Sequence, residues 1–188
     1  MMKTMRLGVA LVAGLAFLAT AAPAQAAPTG GQAEQTAAVR VIRYNASGAA
    51  EFRSVVDQAA QLWNSSVTNV RLVAGSPADM VVRADNGWPR AQPTGLGRGT
   101  IWMGRQATSQ GYNPLRIATH EIGHILGLPD RRTGRCTDLM SGSSAPVSCT
   151  NAYPSAAEKA EVERNFAGFA PAIDFGETYV DVPALAAS

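Results

Sequence analysis

An α+β domain, with a helix laid on a small mixed sheet, is the fold class this sequence predicts. Short β-prone runs recur around residues 39–44, 70–73, 80–83 and 100–103, set apart by loops that contain Gly and Pro. Between the first two, Phe52, Val55, Val56, Ala59, Leu62 and Trp63 return at three- and four-residue intervals, so residues 50–64 form an amphipathic helix whose apolar face must meet a sheet. With 188 residues, 46% of them hydrophobic and 16% charged, the chain suits one compact domain with a buried core.

Taken in order, residues 1–26 open with Lys3 and Arg6, pass through an apolar run and finish at Ala24-Gln25-Ala26. That is the form of a cleaved secretory signal peptide, and no later apolar stretch is long enough for a membrane anchor. Residues 27–38 lack large apolar side chains over most of their length and read as a short propeptide or linker. A first strand with Val39, Val41 and Tyr44 precedes a turn expected at residues 45–48. The helix that follows is stopped by Asn64-Ser65-Ser66, and three strand-like runs come next. Asn113-Pro114 is a helix start, with Asn as N-cap and Pro where its missing N–H costs nothing. The helix from Pro114 ends at Gly127, a residue able to take the left-handed conformation of a sharp turn. Ser155, with Glu158 three residues on, has the capping-box pattern of a last helix. This divides the chain into a 39–169 domain and a 170–188 stretch of small residues and Pro, expected as a loosely held tail.

Charge narrows the function. Loss of Lys3 and Arg6 with the signal lowers the 16 basic residues to 14, equal to the 14 acidic ones. No basic surplus remains to attract nucleic acid or an anionic membrane. The two cysteines, Cys136 and Cys149, are an even count in an exported chain and are expected to join. A loop of that size is worth about 3 kcal/mol in the chain-entropy account. Metal ligation by the pair is the weaker alternative, since no further histidine is on hand.

The chemistry concentrates at Thr119-His120-Glu121-Ile122-Gly123-His124. On a helix His120 and His124 project from one face, so that two imidazole nitrogens converge on one ion. Glu121 lies on the flank of that face, where a carboxylate serves as general base toward water without ligating the metal. A catalytic zinc takes three protein ligands and keeps one open position, and the bend at Gly127 directs Leu128-Pro129-Asp130 back to deliver Asp130 as the third. The chain has no other histidine. Together these features indicate a zinc metalloendopeptidase with one zinc per chain, acting on polypeptide substrates. Two rivals remain at this stage: a zinc-binding module without catalysis, and a peptidase whose third ligand is a helical Glu158 or Glu161.

The run from His120 through Gly127 to Asp130 resembles the extended zinc signature of the snapalysins, small bacterial neutral proteases of the metzincin clan whose third ligand is Asp. The likeness extends over residues 39–169 and includes Ala60-Gln61-Leu62-Trp63-Asn64, Gly97-Arg98-Gly99, Leu139-Met140-Ser141-Gly142 and Ser148-Cys149-Thr150-Asn151. It implies a metzincin fold: a twisted mixed sheet, an N-terminal helix and an active-site helix above the cleft, and an irregular lower part ending in a C-terminal helix. It also implies Met140 as the Met-turn residue beneath the ligands, a Cys136–Cys149 disulfide, secretion as a monomer, and an aromatic residue on the leaving-group side of the cut. Read without the resemblance, Met140 is a core side chain.

Two family features differ here. Snapalysins carry a tyrosine two residues after the ligand Asp, placed to stabilise the oxyanion; this chain has Arg132, whose guanidinium is the candidate for that role. The resemblance also implies calcium around Asn113 and Leu115, yet neither supplies the carboxylates calcium favours, and Asn113 reads better as an N-cap. The 27–38 segment has no cysteine to cap zinc. Latency is therefore expected from steric cover or a separate protein inhibitor.

Overall fold

The computed structural model describes residues 38–183; the segment read as a signal peptide and nearly all of the 27–38 linker lie outside the described residues. Six strands form one mixed sheet: β1 (Arg40–Gly48), β2 (Val70–Ala74), β3 (Met80–Asp85), β4 (Arg90–Gly95), β5 (Arg98–Gly104) and β6 (Tyr179–Val180), in the order β2-β1-β3-β5-β4-β6. The first four in that order are mutually parallel, whereas β4 runs antiparallel to β5, and β6 antiparallel to β4. Ile42, Tyr44 and Ala46 of β1, Met80 and Val82 of β3, and Ile101 and Met103 of β5 are buried at alternate positions. Period-two alternation of this kind puts one face of each strand on the core.

Helix α1 (Arg53–Ser66), entered through a 3-10 turn at Ala50–Phe52, buries Val56, Ala59, Ala60 and Trp63. The Asn64-Ser65-Ser66 stop is the helix's last turn rather than a segment beyond it. Asn64 then bonds the backbone of Leu72 in both directions, at 2.7 and 2.8 Å, and ties the helix end to β2. The short helix α2 (Arg105–Ser109) leads to α3 (Pro114–Ile125), which starts as expected: Asn113 Oδ1 accepts the Arg116 N–H at 3.0 Å, with Pro114 in the first turn. Trp63 Nε1 donates to Thr119 O at 2.9 Å and is fully buried, so α1 and α3 are locked side by side. Among the described residues no helix is long and apolar enough to cross a membrane.

Three expectations are corrected. The turn foreseen at residues 45–48 is instead the end of β1: Ser47 N–H donates to Asn45 Oδ1, and the β1–β3 register shifts between Asn45 and Gly48. The turn-forming tendency of Asn45 is expressed as a bulge within the strand. Strand β4 was not foreseen at all, for Arg90-Ala91-Gln92-Pro93 has neither alternation nor β-prone side chains; pairing with β5 imposes its shape. The stretch after Ala170 is not loose throughout, because β6 adds to β4 and Asp181 is buried.

Below α3, a 3-10 segment (Leu139–Ser144) and helix α4 (Ala156–Phe166) are joined by one buried carboxylate. Glu158 accepts the N–H of Met140 at 2.7 Å, of Leu139 at 3.2 Å and, in the predicted capping box, of Ser155 at 2.6 Å. Cys136 and Cys149 are disulfide-bonded, and the buried Arg116 guanidinium gathers the carbonyls of Cys136, Asp138 and Asn151 from the same loop. At the far end of α4, Asn165 Nδ2 donates to the carbonyls of Leu126 and Gly127 at 3.1 and 3.3 Å. The fold is thus a helix pair on a sheet, with the lower part held by hydrogen bonds to irregular backbone.

Replacing Glu158 by Gln removes the charge that three N–H groups share, two of them buried, and turns an acceptor into a donor. We expect a loss of about 2–3 kcal/mol, read as a lower urea midpoint at unchanged slope.

Candidate metal centre

Every residue of α3 from Arg116 to Ile125 is buried, so the ion-facing side of the helix is already dehydrated. His120 Nδ1 lies 3.0 Å from Leu139 O and His124 Nδ1 lies 2.8 Å from Leu128 O. A carbonyl oxygen only accepts, so each ring must carry its hydrogen on Nδ1 and, when neutral, present a lone pair at Nε2. Those two Nε2 atoms are 3.2 Å apart.

The third corner comes from the bend. Gly127 takes φ 91°, and a Cβ there would fall 2.6 Å from Asn165 Nδ2, so both conformation and space call for glycine. The chain turns back and Asp130 Oδ1 comes to 3.3 Å from His120 Nε2 and 3.8 Å from His124 Nε2. Metal–donor distances of about 2.0–2.1 Å in a tetrahedron require donor–donor edges of about 3.3–3.4 Å; two of the three edges are close to this, and the His124–Asp130 edge is longer at 3.8 Å. Asp130 Oδ1 is buried and has no well-formed hydrogen bond. Two nitrogens and one carboxylate oxygen, converging and unsatisfied, fit a zinc ion.

Both oxygens of Glu121 are likewise buried without a partner. A carboxylate is kept in that state only where something absent from the protein's own hydrogen bonding gives it work. Burial raises the Glu121 pKa well above the ordinary carboxylate range. Glu158 and Glu161, the rival third ligands, are spent elsewhere: the first on the backbone of residues 139, 140 and 155, the second on Arg131 at 2.6 Å.

Met140 is fully buried and lies against Gly123, between His120 and His124 in the helix. A Cβ on Gly123 would lie 2.7 Å from its Sδ, so glycine between the histidines lets the helix descend onto the methionine. The Met140 carbonyl accepts Arg131 N–H at 2.7 Å, while that of Leu139 holds His120. One turn of backbone therefore braces both the helix and the third-ligand loop. Asn113 caps α3 through its side chain, and Leu115 packs against the core.

Arg132 does not face an open position. Its Nη2 donates to Asp130 Oδ2 at 2.9 Å and to Val180 O at 3.2 Å, and its Nη1 to Ser143 Oγ at 2.7 Å and Asp181 Oδ1 at 2.6 Å. The guanidinium anchors Asp130 from behind. Two residues that sequence reasoning passed over stand at the same place. Tyr179 stacks on the His124 ring at 4.7 Å between centroids, and Asp181 offers a carboxylate oxygen within 4.8 Å of the His120 and Glu121 donor atoms. The alternating run Tyr179-Val180-Asp181-Val182 was a short strand signal inside an otherwise unpromising stretch.

Protons compete for the metal-free site. Burial alone would lower the His120 pKa, but the charges of Asp181 and Asp130 outweigh it and raise it to about 9. Burial and the neighbouring His120 charge lower His124 to about 3, and Asp130, despite burial, is held at about 2 by His120. Around pH 7 the site therefore holds a proton on His120 that a metal must expel. Apparent zinc affinity of the stripped chain should rise at least about tenfold per pH unit from pH 6 toward 9 and level off above it. Competition with a fluorescent chelator across that range measures the slope, and a flat profile contradicts the assignment.

Comparison with known proteins places the chain in a family. Residues 38–168 match the Streptomyces extracellular neutral proteinase (M7) family. An extracellular small neutral protease of Streptomyces sp. strain C5 is 48% identical over 146 residues, covering 75% of this chain and 62% of that protein. Its namesake from Streptomyces coelicolor is 46% identical over 129 residues, covering 67% and 59%. The chain thus spans about three fifths of the length of these two relatives. A third, from Streptomyces caespitosus, is 45% identical over 123 residues, covering 64% of this chain and 92% of the relative. With the match running from the start of the sheet past the end of α4, the chain belongs to the Streptomyces extracellular neutral proteinase family, the snapalysins.

Proposed function

We propose that this chain is a secreted, zinc-dependent endopeptidase. The observation that carries the reading is the closed triangle of His120 Nε2, His124 Nε2 and Asp130 Oδ1, with the unpartnered Glu121 carboxylate beside it. That its relatives are named extracellular proteases supports export and peptide substrates.

Zinc, when bound, supplies Lewis acidity toward a peptide carbonyl and makes water acidic enough to attack near neutral pH. The protein's own residues do the rest. The Nδ1 bonds of His120 and His124 keep both rings aimed at the ion, and the Arg132 guanidinium keeps Asp130 from swinging away. Glu121 takes the proton that the attacking water gives up as the new C–O bond forms. It then delivers that proton to the departing amine nitrogen as the C–N bond breaks. Its two buried oxygens, without a hydrogen-bond partner in the protein, are free to take up and return a proton. An aromatic residue on the leaving-group side of the cut is proposed on the family resemblance alone. Arg132, committed to the ligand Asp130 and to Asp181, acts here as a positioning residue.

Glu121→Ala should retain stoichiometric zinc and lose about 10²–10⁴-fold in turnover of casein. His120→Ala should lose the metal itself. An active, zinc-replete Glu121→Ala protein would show that the base lies elsewhere.

A further inference from the structure

The segment after α4 lies in the place a substrate would need. Strand β4 is the antiparallel margin of the sheet nearest the metal centre, with α3 packed against it. Extended peptides bind such margins by adding a strand through main-chain hydrogen bonds. Here the margin is already taken by this chain. β6 pairs with it, Ala91 opposite Tyr179 and Arg90 opposite Val180. The contact extends beyond the two-residue strand: Gly176 N–H donates to Pro93 O at 2.7 Å and Asp181 N–H to Pro89 O at 2.9 Å.

The side chains complete the occupation. Tyr179 covers the outer face of His124. Asp181 is buried at 6% exposure and lies against His120 and Gly142. Its Oδ1 is held by the Ser143 N–H at 2.7 Å and by Arg132 at 2.6 Å. By contrast, residues 167–170 and 174–178, which lead into the strand, are exposed, and Phe169 is 64% exposed. A buried acid at the metal centre, carried on an edge strand and reached through an open connector, is the arrangement of a plug.

We propose that residues 176–182 are an internal pseudosubstrate: they occupy the substrate groove along β4, and the Asp181 carboxylate closes the approach to His120 and Glu121. Cleavage of the exposed connector, or withdrawal of the strand, opens the groove. The same event frees the Arg132 guanidinium from Asp181 and Val180, leaving it on Asp130 and Ser143 alone. The tyrosine expected at position 132 is thereby replaced by the residue that clamps the plug. This inference rests on the reading of residues 120, 121, 124 and 130 as a peptidase centre.

The test uses the full zinc-loaded chain with a recognition site for a sequence-specific protease inserted after Gly168, so that folding precedes the cut. In a Glu121→Gln background, which prevents turnover, binding of prolyl-leucyl-glycyl hydroxamate is measured by calorimetry before and after cleavage. Affinity is expected to increase by at least about tenfold on cleavage, since binding no longer has to displace the strand. Added synthetic peptide of residues 174–183 should compete with the hydroxamate. Asp181→Ala in the uncut chain should give a similar gain, and with Glu121 intact both changes should lower KM for a peptide substrate more than they raise kcat. Unchanged or weaker hydroxamate binding after the cut overturns the proposal. Loss of zinc after the cut also overturns it and makes the segment part of the site's frame. Tighter hydroxamate binding without casein hydrolysis by any form would sustain the plug and dismiss the peptidase reading.

Discussion

Two imidazole Nε2 atoms, held 3.2 Å apart in a dehydrated helix face by rings that donate through Nδ1, are the constraint around which this protein is built. Lone pairs so close repel unless a proton or a cation stands between them, and an ionised carboxylate 3.3 Å away makes the demand for positive charge stronger. Nothing local would keep the three groups together. The helix sets the spacing of His120 and His124, the Gly127 bend sets the approach of Asp130, and the carbonyls of Leu128 and Leu139 set the ring orientations. Each of those determinants is backbone, which is why the site needs a rigid frame more than it needs further side-chain ligands.

The frame is assembled from unlike parts. Above, it is ordinary hydrophobic packing, with the buried Trp63 of α1 set against α3 and bonded to its backbone. Below, apolar contacts are fewer and single polar side chains do the joining. Glu158 organises the turn that carries Met140, Arg116 collects the carbonyls of the disulfide loop, and Asn165 covers the last carbonyls of α3. Buried polar groups of this kind contribute little when all are satisfied and cost heavily when one partner is lost. The lower half therefore tolerates irregular backbone at the expense of tolerance to substitution.

How much of this was legible in the sequence depends on how local the determinant was. The ligand helix, its Asn113 cap, its Gly127 terminus and the Ser155–Glu158 box are written in residues a few positions apart, and each is found where expected. So is the convergence of His120, His124 and Asp130, since helix pitch and one bend nearly determine it. What escaped was set by distant partners. β4 has no strand character of its own and takes its form from β5. The Asn45 bulge depends on pairing with β3. The fate of Arg132 turns on Asp181, 49 positions away, and no pattern near position 132 foretells an acid arriving from the other side of the domain.

The pairing of β6 with β4 also has a bearing on how molecules of this kind behave in a crowd. An unpaired strand at the rim of a sheet offers its amides and carbonyls to any neighbour with a matching rim. Proline within β4 blunts that rim at one point, and the intramolecular strand covers part of what remains. The short stretch from Tyr179 to Asp181 thus serves as a self-supplied guard against stacking into aggregates, at work before any question of catalysis arises.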